Sequence, residues 1–179
     1  SKFYRVSGDS TQSRGIDPDI VLPSTWDIET VGESSLPTHL PWDKIKPTRY
    51  RTFTEDSIAI EKTIVAFKER LSTDPNLIYL KDVRSRYDQN KNKMELSLNI
   101  DERRSEQEER KQWLLEVENK RRSSLGIEIF KDYESMDEFN DNFDPEDIDT
   151  IRDYSLIQGI EIIGDYIDSE SNFISWRKT

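Results

Sequence analysis

Two of the three Asp-Pro pairs in this chain constrain its fold more than any other sequence feature. Asp74-Pro75 and Asp144-Pro145 each combine a residue that can cap a helix with a proline suited to the first helical turn. Apolar residues follow each pair at helical spacing and predict two buried helix faces. The first face comprises Leu77, Leu80, Val83 and Tyr87, and the second comprises Ile148, Ile151, Leu156, Ile160, Ile163 and Ile167. Gly159 lies within the second face and predicts close approach of another element, and the chain as a whole is expected to be mainly helical.

Two further helices and one strand complete the predicted pattern. Residues 55–72 carry an apolar stripe of helical period, and residues 102–122 form a charged helix that Asp101 caps. Residues 94–100 alternate apolar and polar side chains without a break, which predicts a strand. The acidic segment 125–143 has little periodicity and predicts a loop. The expected fold class is mainly α with short strands (α+β), built on about four helices.

The charge of the chain is unevenly distributed, and this excludes some classes of partner. The formal net charge is −11, and residues 128–170 hold fifteen acidic side chains against two basic ones. Residues 1–127 are balanced, with 22 acidic and 22 basic groups. Because a nucleic-acid-binding protein needs a basic face, the sequence predicts no nucleic-acid partner. No apolar run reaches the length of a membrane span, and the absence of cysteine excludes disulfides and thiolate metal sites.

Few residues suggest chemistry of their own. His39 is the only histidine, so a structural role is favoured over catalysis and a His-rich zinc site is excluded within one chain. The acidic segment 137–147 invites a calcium interpretation but lacks the central glycine and the terminal glutamate of an EF-hand loop. A solvated loop with a helix cap is favoured there over weak cation binding. The pairs Arg103-Arg104 and Arg121-Arg122 are interpreted as partners for these acids.

Three stretches of the chain carry a resemblance to a known family. Residues 2–20 combine an aromatic strand, two glycines, a Ser-Thr-Gln run and a Pro-Asp pair, and residues 32–43 contain Gly-Glu and Leu-Pro-Trp-Asp pieces. A Ser-Leu-Asn segment at residues 97–99 then leads into an arginine-rich and acidic helix. The matching residues of the first two stretches are Lys2, Phe3, Tyr4, Gly8, Ser10, Thr11, Gln12, Gly15, Ile16, Pro18, Asp19, Ile20, Gly32, Glu33, Ser34, Ser35, Leu36, Pro37, Leu40, Pro41, Trp42 and Asp43. Together the stretches resemble the tail-specific proteases, the C-terminal processing serine peptidases, across most of residues 2–122 and only loosely beyond Gly126.

The resemblance implies a division of the chain into three parts. Residues 1–24 would be the trailing segment of the serine protease core, an extended β segment. Residues 25–53 would be a proline-rich connector, and residues 54–179 would be the C-terminal helical domain. A length of 179 residues suits one domain of ordinary size, or one domain with an appendage.

The resemblance also implies a function for the parent protein and a limited role for this chain. The parent would be a serine endopeptidase of the periplasm that degrades or trims envelope proteins recognised by their apolar C-terminal tails. In that family the catalytic serine and lysine precede the segment matched by residues 2–20, so this chain would be a non-catalytic C-terminal domain, inactive alone. Ser10 beside Lys2 is a poor catalytic pair, and Gln12 does not match the family's helping glutamine. No catalytic, cofactor-binding or metal-binding residue is therefore assigned.

The expected partners follow from the same resemblance. They are the remainder of the parent protease with its PDZ and catalytic domains, protein substrates, and an adaptor lipoprotein as an open candidate; no cofactor is implied. Two alternatives stay open from the residues themselves. The chain could be a free-standing acidic helical interaction module without enzymatic activity, or residues 144–167 could form a partner-binding helix.

Overall fold

Helices dominate the described part of the chain, which in this computed structural model is residues 2–25, 27–51, 57–91, 93, 95–142 and 153–176. In chain order the helices are α1 (Ile28–Val31), α2 (Ser57–Thr73), α3 (Pro75–Lys91), α4 (Ile100–Ser124), α5 (Tyr133–Asp141) and α6 (Tyr154–Trp176), with a 3₁₀ turn at Glu33–Ser35. The predicted mainly helical class is confirmed. The chain divides into two compact units, one formed by Ser1–Phe67 with Ile162–Thr179 and the other by Lys68–Glu161.

Helix α3 begins at the Asp74-Pro75 pair, as the sequence predicts. Asp74 Oδ1 accepts hydrogen bonds from the backbone N–H groups of Asn76 at 2.8 Å and Leu77 at 3.0 Å, which satisfies two donors that an α-helix leaves free at its start. Leu77 and Leu80 are buried, as expected. Tyr87, predicted on the same face, is instead exposed, and the guanidinium of Arg84 lies 5.5 Å from its ring centroid.

Helices α3, α4 and α5 form the core of the second unit. Helix α3 packs against α4, and α4 packs against α5. The buried apolar side chains here are few: Leu77, Leu80 and Met136 among the residues described. A core of this size leaves much of the packing to aromatic rings and to buried polar groups, which the sequence supplies in larger number.

The strand predicted at residues 94–100 is wrong. Residues 95–99 form no ladder, and Ile100 already belongs to α4. The cap is Asn99 and not Asp101, because the Asn99 side chain accepts the N–H of Asp101 at 2.9 Å. Alternation of apolar and polar residues needs a neighbouring strand to become a sheet, and none lies beside this segment among the residues described. Leu98 is consequently fully exposed.

The loop predicted for residues 125–143 contains helix α5, so that prediction is also wrong. Asp132 and Ser135 form a capping box, in which the Asp132 carboxylate accepts the Ser135 N–H at 2.9 Å and the Ser135 hydroxyl faces the Asp132 N–H. The usual box has glutamate or glutamine at the second position. Because serine occupies that position here, the usual capping-box pattern does not occur in the sequence and did not predict the helix. Position 143 lies outside the described residues.

Helix α6 is present but differs from expectation in three respects. It extends past the predicted end at residue 167 to Trp176, and its predicted start at Asp144 lies outside the described residues. A Cβ atom added at Gly159 would meet nothing within 4 Å, so the expected close approach is wrong. The predicted buried face is exposed along the described helix, with exposed fractions of 40% for Leu156, 62% for Ile160, 60% for Ile163 and 53% for Ile167.

The capping box makes α5 sensitive to pH. Hydrogen bonds from the backbone and side chain of Ser135 hold the pKa of Asp132 below its usual value. Because the folded pKa is the lower one, the stabilisation is complete above the unfolded value of about 3.9 and is lost as the pH falls through the folded pKa. The variant Asp132→Asn keeps a capping side chain that does not titrate. We expect the difference in unfolding free energy between the two proteins, measured by urea titration, to shrink with acidification; a difference independent of pH would contradict the charged cap.

Candidate functional site

The two N-terminal stretches that carry the family resemblance contact each other through the backbone. We call residues 2–17 and 40–48, taken together, the junction. Isolated antiparallel bridges join Tyr4 to Ser10 and Asp9 to Lys44, and the Ser10 N–H donates to the Asp43 carbonyl at 3.0 Å. An extended β segment was expected for residues 1–24, but the described part of that range takes part only in isolated bridges. Within the junction, residues 2–17 therefore form a folded-back hairpin, and the connector residues 40–48 lie against it.

Charged side chains reinforce the junction. Lys2 Nζ donates to the Pro41 carbonyl at 2.8 Å and lies 3.1 Å from Asp43 Oδ2. The Tyr4 hydroxyl donates to the same carboxylate oxygen at 3.1 Å, and partial desolvation together with that hydrogen bond raises the pKa of Tyr4. A second ion pair joins Lys44 Nζ to an Asp9 carboxylate oxygen at 2.9 Å. Individually such surface pairs contribute about 0–1 kcal/mol, but here they fix the register of two segments that are distant in the sequence.

Gly8 allows the closest approach in the junction. Its φ is +88°, and a Cβ atom at this position would lie 2.1 Å from the Ile45 carbonyl oxygen. The Ile45 N–H donates to the Gly8 carbonyl at 2.8 Å. A side chain at position 8 would therefore break the backbone contact as well as strain the turn, since L-residues rarely adopt this conformation.

The Leu-Pro-Trp-Asp piece is anchored by the turn that follows Ser10. The Ser13 hydroxyl donates to the Leu40 carbonyl at 3.0 Å, and the Ser13 N–H donates to a Glu33 carboxylate oxygen at 3.1 Å. The Arg14 guanidinium lies 5.1 Å from the Trp42 ring centroid, a cation–π distance. The stretches that resemble the family at residues 10–16, 32–33 and 40–43 are thus brought together.

The geometry gives Ser10, Lys2 and His39 structural partners. Ser10 is buried, and its hydroxyl accepts the Gln12 N–H at 3.1 Å in the turn. The Lys2 ammonium is engaged by Pro41 and Asp43, as described above. His39 is exposed, and its Nδ1 lies 2.7 Å from the Leu36 carbonyl. A Ser–Lys mechanism needs the lysine within hydrogen-bond reach of the serine. Here Ser10 binds the Gln12 N–H, and Lys2 binds Pro41 and Asp43.

The second unit is centred on the buried side chain of Arg121, which the sequence suggested only as one member of the Arg121-Arg122 pair. The side chain of Arg121 is 2% exposed and forms a two-pronged pair with the Glu118 carboxylate, through Nε at 2.9 Å and Nη2 at 2.5 Å. Nη1 donates to Asn76 Oδ1 at 3.0 Å. The rings of Tyr79 and Tyr154 flank the guanidinium at 5.3 and 5.0 Å. Groups from α3, α4 and α6 therefore meet at one cation.

The environment of Arg121 favours its charged form. Burial is the largest single influence and opposes the charge, but the hydrogen bond to Glu118 and the electrostatic effects of Tyr154, Glu118 and Tyr79 together outweigh burial and raise the pKa of Arg121. Burial, followed by the nearby charge of Glu118, raises the pKa of Tyr79. The pairing of Arg121 with Glu118 lies at a spacing of three residues along one helix, a spacing at which side chains are neighbours. That spacing is the signal by which the sequence could have revealed the pair.

Arg122, near the end of α4, also links separate parts of the second unit. Its Nε donates to the Glu128 carbonyl at 2.5 Å, and its guanidinium lies 4.2 Å from the Phe130 ring centroid and 5.4 Å from that of Phe139. Phe139 belongs to α5, so Arg122 helps to hold α5 against α4. The pair Arg121-Arg122 was interpreted as a partner of the acidic segment 137–147; the carboxylate found beside both guanidinium groups is that of Glu118. Positions 143–147 lie outside the described residues.

The described part of the chain has neither a metal-binding cluster nor a membrane-spanning helix. No group of three or more His, Asp or Glu side chains that could hold a metal ion occurs there. None of the described helices combines the length and the apolarity that crossing a membrane requires.

The family of the chain follows from comparison with known proteins. Residues 26–168 match the family described as "C-terminal domain of tail specific protease (DUF3340)". This match spans well over half of the sequence, so the chain belongs to the family of C-terminal domains of tail-specific proteases. The family description makes such a domain one part of a larger protease.

A curated relative gives the same result. Over 173 residues, 93% of this chain, the sequence is 27% identical to the tail-specific protease of Haemophilus influenzae. The aligned region is 23% of the length of that relative, so the chain spans about a quarter of the protein it matches. The resemblance drawn from residues 2–122 is confirmed.

Substitution of Gly8 tests the junction. We expect Gly8→Ala to cost about 1–3 kcal/mol of local stability from backbone strain and, in addition, to break the contact with Ile45. Gly15→Ala is the matched control, because Gly15 also has a positive φ (+63°) but has open space around it. Hydrogen exchange at the Ile45 amide should accelerate in Gly8→Ala and not in Gly15→Ala. Equal exchange in both variants would contradict the proposed close approach.

Substitution of Arg121 tests the buried cluster. We expect Arg121→Met to destabilise the chain by about 3–5 kcal/mol, because Glu118 would be left buried without its partner. Arg103→Met removes an arginine from an exposed pair on the same helix, at 3.0 Å from Glu106, and should change stability by less than about 1 kcal/mol. Both values are measured by urea unfolding. Similar losses in the two variants would show that the burial of the Arg121 pair is not what stabilises the unit.

Proposed function

We propose that this chain is the non-catalytic C-terminal domain of a tail-specific serine endopeptidase that degrades or trims envelope proteins recognised by their apolar C-terminal tails. In this proposal the enzyme works in the periplasm, and the domain packs on the protease core and presents a surface to an adaptor lipoprotein. The family membership supports the assignment to a protease. The proposed non-catalytic role of this chain is supported by the structural contacts that Ser10 and Lys2 make within the junction.

The observation that carries the proposal is an anchored junction with an exposed apolar surface. Asp43 receives the Lys2 ammonium and the Tyr4 hydroxyl, so the backbone of the hairpin is held in place. Nevertheless Phe3 is 70% exposed and Val6 is 56% exposed. Leaving large apolar side chains in water forfeits roughly 1.5–3 kcal/mol each. A segment that is ordered by polar contacts and yet exposes its apolar side chains suits packing against another domain.

Helix α6 offers a second exposed apolar surface, which favours the alternative in which the last helix binds a partner. Leu156, Ile160, Ile163 and Ile167 are each at least 40% exposed and recur at spacings of three and four residues, which places them on one face. Contiguous apolar faces on a charged protein mark interaction sites. Within the proposal, this face is where the domain contacts the remainder of the protease or its adaptor.

The free-standing acidic module remains the alternative, and the reading frame upstream of residue 1 distinguishes the two. Codons for a PDZ domain and a Ser–Lys catalytic core in the same frame would support the protease. A promoter and a start codon immediately before residue 1 would support the independent module.

Peptidase activity of the chain by itself is the functional test. We expect no cleavage of peptides that end in apolar residues, because the nucleophile and base are proposed to lie elsewhere. Purified chain and the variant Ser10→Ala are assayed in parallel with a fluorogenic peptide. Turnover by the chain that persists through purification and disappears in Ser10→Ala would identify Ser10 as a nucleophile and overturn the proposal.

A further inference from the structure

A basic groove lies between the C-terminal half of α3 and the N-terminal half of α4. It has a volume of about 400 Å³. Five cationic side chains line it: Arg86, Lys93, Arg103, Arg104 and Arg110. Two carboxylates, Glu106 and Glu109, also lie in the lining. An excess of positive charge at one place in a chain of net charge −11 is a local departure from its overall electrostatics, and it selects for an anionic occupant.

Part of this positive charge is already neutralised and part is not. Arg103 lies 3.0 Å from Glu106, and Lys93 lies 3.9 Å from the same carboxylate group. Arg104 is 3.8 Å from Asp101 with a side chain that is 73% exposed. The structure shows no carboxylate within ion-pair distance of Arg110 among the described residues, and Arg86 Nε is buried without a hydrogen-bond partner there. The Arg86 guanidinium also lies 5.5 Å from the Trp113 ring centroid, so the donors that the groove retains for an incoming anion are those of the exposed Arg110 side chain.

The groove also has an apolar side. Leu96 and Ile100 line it and are 68% and 61% exposed. Residues 95–98, which precede α4, form no regular secondary structure, and no backbone hydrogen bond joins them to another described segment. A simple inorganic anion would leave the apolar side chains in water. An extended peptide would satisfy both features, since its carboxylates can meet the arginines while an apolar side chain covers Leu96 and Ile100.

We propose that the α3–α4 groove binds an extended acidic peptide segment of another protein, with carboxylates at Arg104 and Arg110 and an apolar side chain against Leu96 and Ile100. A duplex nucleic acid fits less well, because fifteen acidic side chains lie within residues 128–170 of the same chain and repel a long polyanion. A second copy of the chain is disfavoured by the same net charge. This inference does not rest on the proposed protease function.

Fluorescence anisotropy with labelled peptides tests the groove. The probe is a short peptide of alternating glutamate and leucine, and the two matched controls replace every leucine by serine or every glutamate by glutamine. We expect the probe to bind the full 179-residue chain at least about tenfold more tightly than either control, a difference of about 1.4 kcal/mol. Equal binding of the serine control would show that the apolar side of the groove is not used and would overturn the proposal.

Charge reversals locate the binding. Arg110→Glu should weaken probe binding at least about tenfold, whereas Lys81→Glu, an equal reversal at an exposed position of α3 outside the groove lining, should leave it unchanged. Both variants must retain the circular dichroism spectrum and urea midpoint of the original chain. Equal weakening by both reversals would show general charge attraction and overturn the proposal.

A competition experiment separates a peptide groove from a general polyanion site. Short duplex DNA and the chain itself at high concentration are added to the labelled complex. We expect neither to displace the probe at concentrations at which unlabelled probe does. Displacement by DNA, or formation of a dimer that Arg110→Glu abolishes, would assign the groove to a different occupant and contradict the inference.

Discussion

The second unit depends on the contacts of one buried group, the guanidinium of Arg121. A core with so few buried apolar side chains cannot by itself fix three helices, and Arg121 joins Asn76 of α3, Glu118 of its own helix and Tyr154 of α6. An unpaired buried charge is costly, so each of these partners must be in place when the unit folds. The cation therefore specifies how the helices meet. The adjacent Arg122 extends the same principle to α5 by packing against aromatic rings.

Sequence reasoning succeeded where local chemistry determines the structure. The start of α3 at Asp74-Pro75 depends on hydrogen bonds between residues two or three positions apart, so the residues alone predict it. The strand at residues 94–100 failed because a strand requires a partner that the local pattern does not specify. The face of α6 was expected to be buried, but periodicity identifies an apolar face without showing what covers it. Helix α5 was missed because its capping box uses serine at the second position.

The candidate site was predictable in its parts and not in its assembly. The residues of the junction were identified by resemblance, whereas the contacts of Asp43 with Tyr4 and Lys2 join residues 39 and 41 positions apart. No local rule gives such a pairing. Gly8 was noted as part of a pattern, and the structure supplies its reason: the carbonyl of Ile45 occupies the space that a side chain would need. Ser10 and Lys2 both serve this assembly, Ser10 through the Gln12 N–H and Lys2 through Pro41 and Asp43.

The most direct measurement of the central claim is hydroxyl-radical footprinting of the chain alone and within the parent protease. The claim is that the exposed apolar side chains of the junction and of α6 pack against the rest of a larger enzyme. Phe3, Leu156 and Ile160 should react readily in the isolated chain and become protected in the parent, while buried Leu77 stays protected in both. Unchanged reactivity of Phe3, Leu156 and Ile160 in the parent would contradict the claim.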